Sequence, residues 1–401
     1  MVATYLRSSK HSLDFSNTNK KIAYHEFRQD YQEMVKHYVD YLWQDPLNCK
    51  NMLPSETCNQ IQTRTARLRQ CASKQACSMI GAATKKRKKQ LYMLGKLMSE
   101  GKNVKKLQAT INKFPLVKPT CNNINPELDA RFIDYEKGNA FDLFAKVNAV
   151  GNLPIKHTRV SNRWLKRGKL KQAIRLMPNS VILFYEIENT PKKTGNNIGV
   201  DQGYLTTAST SDGQTTTKNK DGYDLSSICK VLSRKQKDSN GFRRAQSHRK
   251  NYINWSINQL NLTNCKNLKL EKIKDIRKGK QVSREMSHWA YTLIKQKFIM
   301  LSEEKGFQFT EQDNKFRSQR CSECGWTHKG NRKGKTFLCK LCNYFTDADL
   351  NAASNHEPDL FEIPKWVWLQ HLNRKTGFYW LADGLYDAGH EPIVRDVQMT
   401  A

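Results

Sequence analysis

Apolar residues recur at spacings of three and four through residues 21–45, placing Phe27, Tyr31, Met34, Tyr38 and Leu42 on one side. The spacing predicts an amphipathic helix. Residues 56–112 carry a second helical pattern, opened by Pro54 and Ser55 and free of proline until Pro115. From Pro115 to about Pro191 the period shortens to that of strands, in ARFIDYE, FDLFAKVNAV and SVILFYEIE, with turn residues between them. The polar run TPKKTGNN reads as a linker into a third region. That region starts with IGVDQGYLTTASTSDG, an apolar strand with an Asp, a glycine bend and a Thr-rich second strand. A helix over Gly241–Leu262, a strand LKLEKI ending near Glu271, a helix over about Ser283–Lys305 and the segment FQFTEQD follow. The last 45 residues hold seven acids against four bases and are rich in aromatics; they read as an irregular appendage packed through Trp366, Trp368 and Trp380. There is no internal repeat or low-complexity tract.

Charge narrows what such a chain does. Its 401 residues suffice for two or three domains, and 68 Lys and Arg against 37 Asp and Glu leave a formal charge of +31. That excess is far beyond the needs of solubility and points to a polyanionic partner, nucleic acid first. A membrane surface is not expected, because no apolar run is long enough to span one and no lipidation signal or secretory leader is evident. An intracellular, reducing location follows, cytoplasmic in a prokaryote or nuclear in a eukaryote, with Cys49, Cys58, Cys71, Cys77, Cys121, Cys229 and Cys265 as ordinary reduced side chains. The cluster KKRKK from Lys85 to Lys89 is either a solvated helix face or a phosphate contact. Arg159, Arg163, Lys166, Arg167, Lys169, Lys171 and Arg175 come without one acid among them, and Trp164 sits between them. Basic side chains with an interleaved aromatic suit a nucleic-acid backbone with a base stacked nearby.

Cys321, Cys324, Cys339 and Cys342 form C-x2-C-x14-C-x2-C, the spacing with which two knuckles bring four thiolates to one Zn2+. Four protein ligands leave no open position, so this zinc would be structural. Three carboxylates stand where a metal nuclease needs them: Asp201 on a strand, Glu271 at the end of another, and Asp349 opening a helix. Two-metal phosphodiester hydrolysis needs hard oxygen ligands converging from different elements on two Mg2+ ions.

The stretch KFRSQRCSECGWTHKGNRKGKTFLCKLCNYFTDADLNAA resembles the zinc ribbon and final RuvC motif of the TnpB family of transposon-encoded nucleases and the related miniature type V CRISPR effectors. Gly199-Val200-Asp201-Gln202-Gly203 matches the family's first motif, and Leu268-Lys269-Leu270-Glu271 its second. Lys272 and Ile273 replace the Asp-Leu that usually follows, which leaves Asp275 and Glu285 as alternatives to Glu271. The resemblance selects Asp349 over Asp347, which then caps the helix, and makes Arg320 and Arg332 candidate phosphate contacts.

The resemblance implies a multidomain α+β and α/β fold: an N-terminal helical bundle, a small β-rich wedge module of OB-like type, then an RNase H-like RuvC domain with an inserted four-cysteine zinc ribbon. The expected divisions are 1–20 for the first strand of the wedge, 21–114 helical, 115–192 wedge, 193–317 nuclease, 318–345 ribbon, 346–356 final nuclease helix and 357–401 tail. The implied activity is RNA-guided, Mg2+-dependent DNA cleavage. A guide RNA and target DNA are the partners, with the protein acting as a monomer or a homodimer on one RNA. A nuclease-dead RNA-guided DNA-binding regulator and a DDE-type transposase that joins DNA strands are the alternatives.

Overall fold

The computed structural model describes residues 3–61, 65–148, 150–273, 282–364 and 376–395. They divide into two compact units, Thr4–Glu188 and the described residues from Asn189 onward together with Ala3. Asp275, Trp366 and Trp368 lie outside the described residues.

The N-terminal unit combines two long helices and three shorter ones with two sheets among its described residues. After β1 (Ala3–Ser12), helix α1 (Thr18–Leu42) opens at Asn17, whose side chain accepts from the Lys20 amide at 3.0 Å. Its buried stripe is Tyr24, Phe27, Tyr31, Met34, Val35, Tyr38, Val39 and Leu42, as the spacing predicts. The stripe packs with α3 (Ala66–Ser99) through Leu68, Ala72, Ala76 and Ile80. The second helical pattern is broken where one element was expected, into the single turn α2 (Ser55–Cys58), α3 and α4 (Lys105–Lys113). Gly101, at φ +64°, ends α3 in a left-handed turn that side chains disfavour.

Strands β2 (Glu127–Leu128), β6 (Gly168–Met177) and β7 (Ser180–Asn189) join β1 in a sheet of order β1-β7-β6-β2. β3 (Ile133–Glu136), β4 (Leu143–Val147) and β5 (Gly151–Ile155) make a separate antiparallel sheet. The short helix α5 (Arg159–Leu165) lies between β5 and β6, capped reciprocally by Thr158 and Ser161.

The second unit centres on a sheet of order β11-β10-β8-β9, from β8 (Asn196–Asp201), β9 (Ser209–Thr210), β10 (Cys265–Lys272) and β11 (Gln308–Asp313). β10 runs parallel to both β8 and β11, and β9 is antiparallel to β8. Ile198, Val200, Leu268 and Leu270 share one hydrophobic core with Ile228 of α6 (Leu225–Ser233), Ile253 and Ile257 of α7 (Asn240–Asn258), and Ile294 and Phe298 of α8 (Tyr291–Lys305). α7 stops short of the expected Leu262, and the helix expected from Ser283 begins only at Tyr291, after a 3-10 turn at Met286–His288.

Beyond β11 come β12 (Trp326–Thr327), β13 (Arg332–Lys333), β14 (Thr336–Leu338), β15 (Phe345–Asp347) and α9 (Ala348–His356). β13, β14 and β15 form a small antiparallel sheet. The tail is not irregular where it is described. β16 (Phe378–Trp380), β17 (Gly384–Tyr386) and β18 (Pro392–Arg395) extend β12 into a four-stranded sheet. Trp380 is buried, with its indole N–H donating to the Phe361 carbonyl at 2.9 Å. The sequence pattern concealed these strands because each is only three or four residues long, too short for a period to register.

Candidate functional site

Alternation along β8 and β10 sends Ile198 and Val200, and Leu268 and Leu270, into the core beneath the sheet. Gly199 and Asp201, with Lys269 and Glu271, therefore face the other way. The parallel register pairs Lys269 with Gly199 and Leu270 with Val200, so the next residue on each strand brings Asp201 and Glu271 side by side. α9 covers this face, and it comes so close that a Cβ on Gly199 would lie 2.2 Å from the Ala353 carbonyl oxygen. Glycine is required at 199 by the approach of a helix backbone, and Ala352 and Ala353 are the small residues that allow it.

α9 begins at Asp347, whose side chain accepts from the amides of Asp349 at 2.8 Å and Leu350 at 3.2 Å, a cap that turns Asp349 into the first helical turn. Asp349 is 5 % exposed. Its Oδ1 accepts from Arg332 Nη2 at 3.0 Å, and its Oδ2 from the ammonium of Lys335, which also donates to Thr206 Oγ1 at 2.9 Å. Asp201 and Glu271 approach each other and His356, with one ligand atom from each lying within 4.8 Å of the others. Asp349 is thus adjacent to the pair but held by two cations, while His356, 1 % exposed, completes the close group. Glu285 stands just before the 3-10 turn and is not in this group.

Electrostatics mark the pair. Burial, then the neighbouring charges of Glu271 and Asp349, push the Asp201 carboxyl well above the usual carboxylate range, against the opposing pull of Arg332 and Lys335. Burial also raises Glu271, although Asn314 Nδ2 donates to its Oε1 at 3.2 Å. Burial, with Arg317 nearby, lowers the His356 imidazole to about 3 and keeps it neutral. Carboxylates gathered and desolvated in this way suit a hard divalent cation, which would relieve the same repulsion that raises them.

The four cysteines converge as their spacing predicts, all four sulfurs within 4.8 Å of one another. Cys321 and Cys342 sulfurs are 3.7 Å apart, as are those of Cys324 and Cys339. A tetrahedron with metal–sulfur bonds of about 2.3 Å has edges of about 3.8 Å, so the cage fits Zn2+. α9 is tied to the first knuckle by two asparagines: Asn351 Nδ2 donates to the Arg320 carbonyl at 2.8 Å and its Oδ1 accepts from the Ser322 amide at 3.1 Å, while Asn355 Nδ2 reaches the same carbonyl at 2.7 Å.

Two arginines expected to touch phosphate are otherwise engaged. Arg320 is buried, donating from Nη1 to Asn355 Oδ1 at 2.6 Å and from Nε to the Trp380 carbonyl at 2.8 Å. Arg332 is paired with Asp349. Trp164, expected to stack on a base, is instead 6 % exposed and packs in the N-terminal core, with the Arg163 guanidinium 4.6 Å from its ring. Its ring offers no open face for a base. Arg159, Arg163, Lys166 and Arg167 on and after α5, and Lys169 and Lys171 on β6, lie at the surface of the N-terminal unit. Asn355 and His356 lie beyond the stretch that carries the resemblance, whereas Lys335 and Asn351 lie inside it without having been singled out. The available signal was the helical spacing from Asp349, which puts His356 two turns on along the same face.

Residues 291–356 match the Cas12f1-like, TNB domain family. A stretch of 115 residues is 36% identical to the CRISPR-associated endodeoxyribonuclease Cas12f1 of Sulfoacidibacillus thermotolerans, covering 28% of this chain and 26% of that protein. Over 111 residues the chain is 30% identical to a TnpB-like protein of Aquifex aeolicus, covering 25% of this chain and 33% of the relative. The alignments therefore span about a quarter to a third of these relatives' lengths. A solved Cas12f1–sgRNA–target DNA complex aligns with a TM-score of 0.30 at 12% identity, over 88% of this chain and 99% of that one. No helix among the described residues is long and apolar enough to cross a membrane. The family match covers the cysteine ribbon and the helix that bears Asp349, and in part of its length the chain is similar to TnpB-like proteins and to the miniature type V CRISPR effector Cas12f1.

Proposed function

We propose that this chain is an RNA-guided DNA endonuclease with one hydrolytic site, formed by Asp201, Glu271 and Asp349. The observation that carries the reading is the juxtaposition of Asp201 and Glu271 on one face of the β11-β10-β8-β9 sheet, with Asp349 brought beside them by α9. Two Mg2+ ions, when bound, lower the pKa of water for attack on phosphorus and offset charge on the leaving oxygen. The carboxylates of Asp201 and Glu271 present oxygen donors from two strands, and Asn314 and Gln202 steady Glu271, the latter by donating from Nε2 to its backbone carbonyl at 2.9 Å. Arg332 and Lys335 hold Asp349 in place and bring positive charge to the point where a phosphodiester would enter. The zinc ribbon acts as a rigid mount, its first knuckle anchoring α9 through Asn351 and Asn355.

The N-terminal unit, with its basic residues on α5 and β6, would contact the guide RNA or the guide–target duplex through phosphates, and base pairing would supply sequence discrimination. The reading is tested with RNA copurified with the protein, sequenced and used to program a matching DNA. Native protein should cut that DNA in Mg2+, and Asp201→Asn and Asp349→Asn should bind it without cutting. Guided binding by native protein with no cleavage would identify a regulator, and strand-joined products a transposase; either result sinks the nuclease reading.

A further inference from the structure

His356 ends α9 in a fully buried setting, with the polar side chains of Asn355 and Arg317 also buried nearby. Its neighbours on the helix, Ala352 and Ala353, are small apolar residues packed against β8, and His356 itself is 1 % exposed. One ring nitrogen nevertheless lies within 4.8 Å of carboxylate oxygens of both Asp201 and Glu271. Its Nδ1 is buried and makes no hydrogen bond. A buried ring with an unfilled nitrogen is unfavourable unless another group completes it.

We infer that His356 is a nitrogen ligand to the divalent cation held by Asp201 and Glu271, so that this position is a two-carboxylate, one-imidazole site rather than an all-oxygen one. The inference rests on the proposal that these two carboxylates bind a divalent cation. Its chemical consequence is metal preference. Carboxylate and water suit Mg2+, whereas an imidazole raises affinity for the transition ions relative to Mg2+. The site should therefore favour Mn2+ over Mg2+ by more than carboxylates alone would produce. His356 also places the metal: α9 sets both Asp349 and His356, so the ribbon that anchors α9 fixes two of the groups around the cation.

The test uses the full chain freed of nucleic acid, with zinc retained and Mn2+ as the probe. Pulsed electron paramagnetic resonance of bound Mn2+ should show modulation from a directly coordinated imidazole 14N in native protein and none in His356→Leu. The same substitution should weaken Mn2+ binding about 10-fold or more and Mg2+ binding distinctly less. Asp201→Asn serves as the control for the site as a whole. If Mn2+ binds native protein and not Asp201→Asn, yet shows no nitrogen coupling and binds His356→Leu unchanged, the histidine assignment fails and the carboxylate site stands. Mn2+ that binds Asp201→Asn as tightly as native protein overturns both. Should the leucine variant fail to fold, the spectrum of native protein decides alone.

Discussion

Arg332 donates from Nη2 to Asp349 Oδ1 at 3.0 Å, and this pair joins the hairpin that follows the first zinc knuckle to the helix that follows the second. Lys335, on the same hairpin's turn, takes the other carboxylate oxygen. Two cations thus neutralise a carboxylate that a metal would also claim. Removing one of them should strengthen divalent binding in the nucleic-acid-free protein, since like charge near the site opposes the incoming ion. Lys335→Gln is expected to tighten Mn2+ binding several-fold at fixed ionic strength, by titration against a spin or calorimetric signal. Unchanged or weaker binding would show that Lys335 positions Asp349 more than it competes for it.

Asp201 and Glu271 have raised folded-state pKa values, so their contribution to stability runs opposite to that of a salt-bridged acid. Between the ordinary carboxylate value, about 4, and the raised folded value, the native state holds more protons than the unfolded chain. In that window stability falls as pH rises. Metal-free Asp201→Asn should accordingly be more stable than native protein at neutral pH, by on the order of 1–3 kcal/mol, with the gain shrinking toward pH 4. Thermal melts of the two proteins across pH in magnesium-free buffer measure this. A gain that is constant with pH would mean that Asp201 is not a desolvated acid.

Zinc is expected to support the fold and to have no chemical step, because four cysteines close its shell. Cys339→Ser should release zinc, lower the melting temperature of the C-terminal unit, and cost cleavage through loss of the α9 anchor. A variant that lacks zinc yet melts and cuts like native protein refutes the structural role.

The exposed basic stretch yields a salt-dependence prediction. Neutralising Lys166, Arg167, Lys169 and Lys171 together should reduce the slope of log affinity against log salt by about 0.7–0.9 for each phosphate that the variant no longer neutralises. RNA binding measured at several salt concentrations gives the slope, and an unaltered slope would make these residues a solvated face. Trp164→Ala should instead destabilise the N-terminal unit by about 3–5 kcal/mol, as for other buried large aromatics, and should leave RNA binding by the folded protein nearly unchanged.

The sequence by itself determined the local elements whose signals lie close together in the chain. The buried stripe of α1 follows from its three-and-four spacing, and the cysteine cage from two knuckles whose local turns need no distant partner. It also established the inward and outward sides of β8 and β10, because alternation is a property of a strand's own geometry. Tertiary structure alone decided register and partners. That Asp201 meets Glu271 depends on parallel pairing across two intervening helices, and that His356 joins them depends on how closely α9 lies on Gly199. The same holds for Trp164, Arg320 and Arg332: composition marks them as cationic or aromatic and suited to nucleic acid, but burial and ion pairing are set by distant neighbours. The tail's strands show the limit most plainly, since segments of three or four residues acquire their structure from the edge offered by β12 and carry too little periodicity to announce it alone.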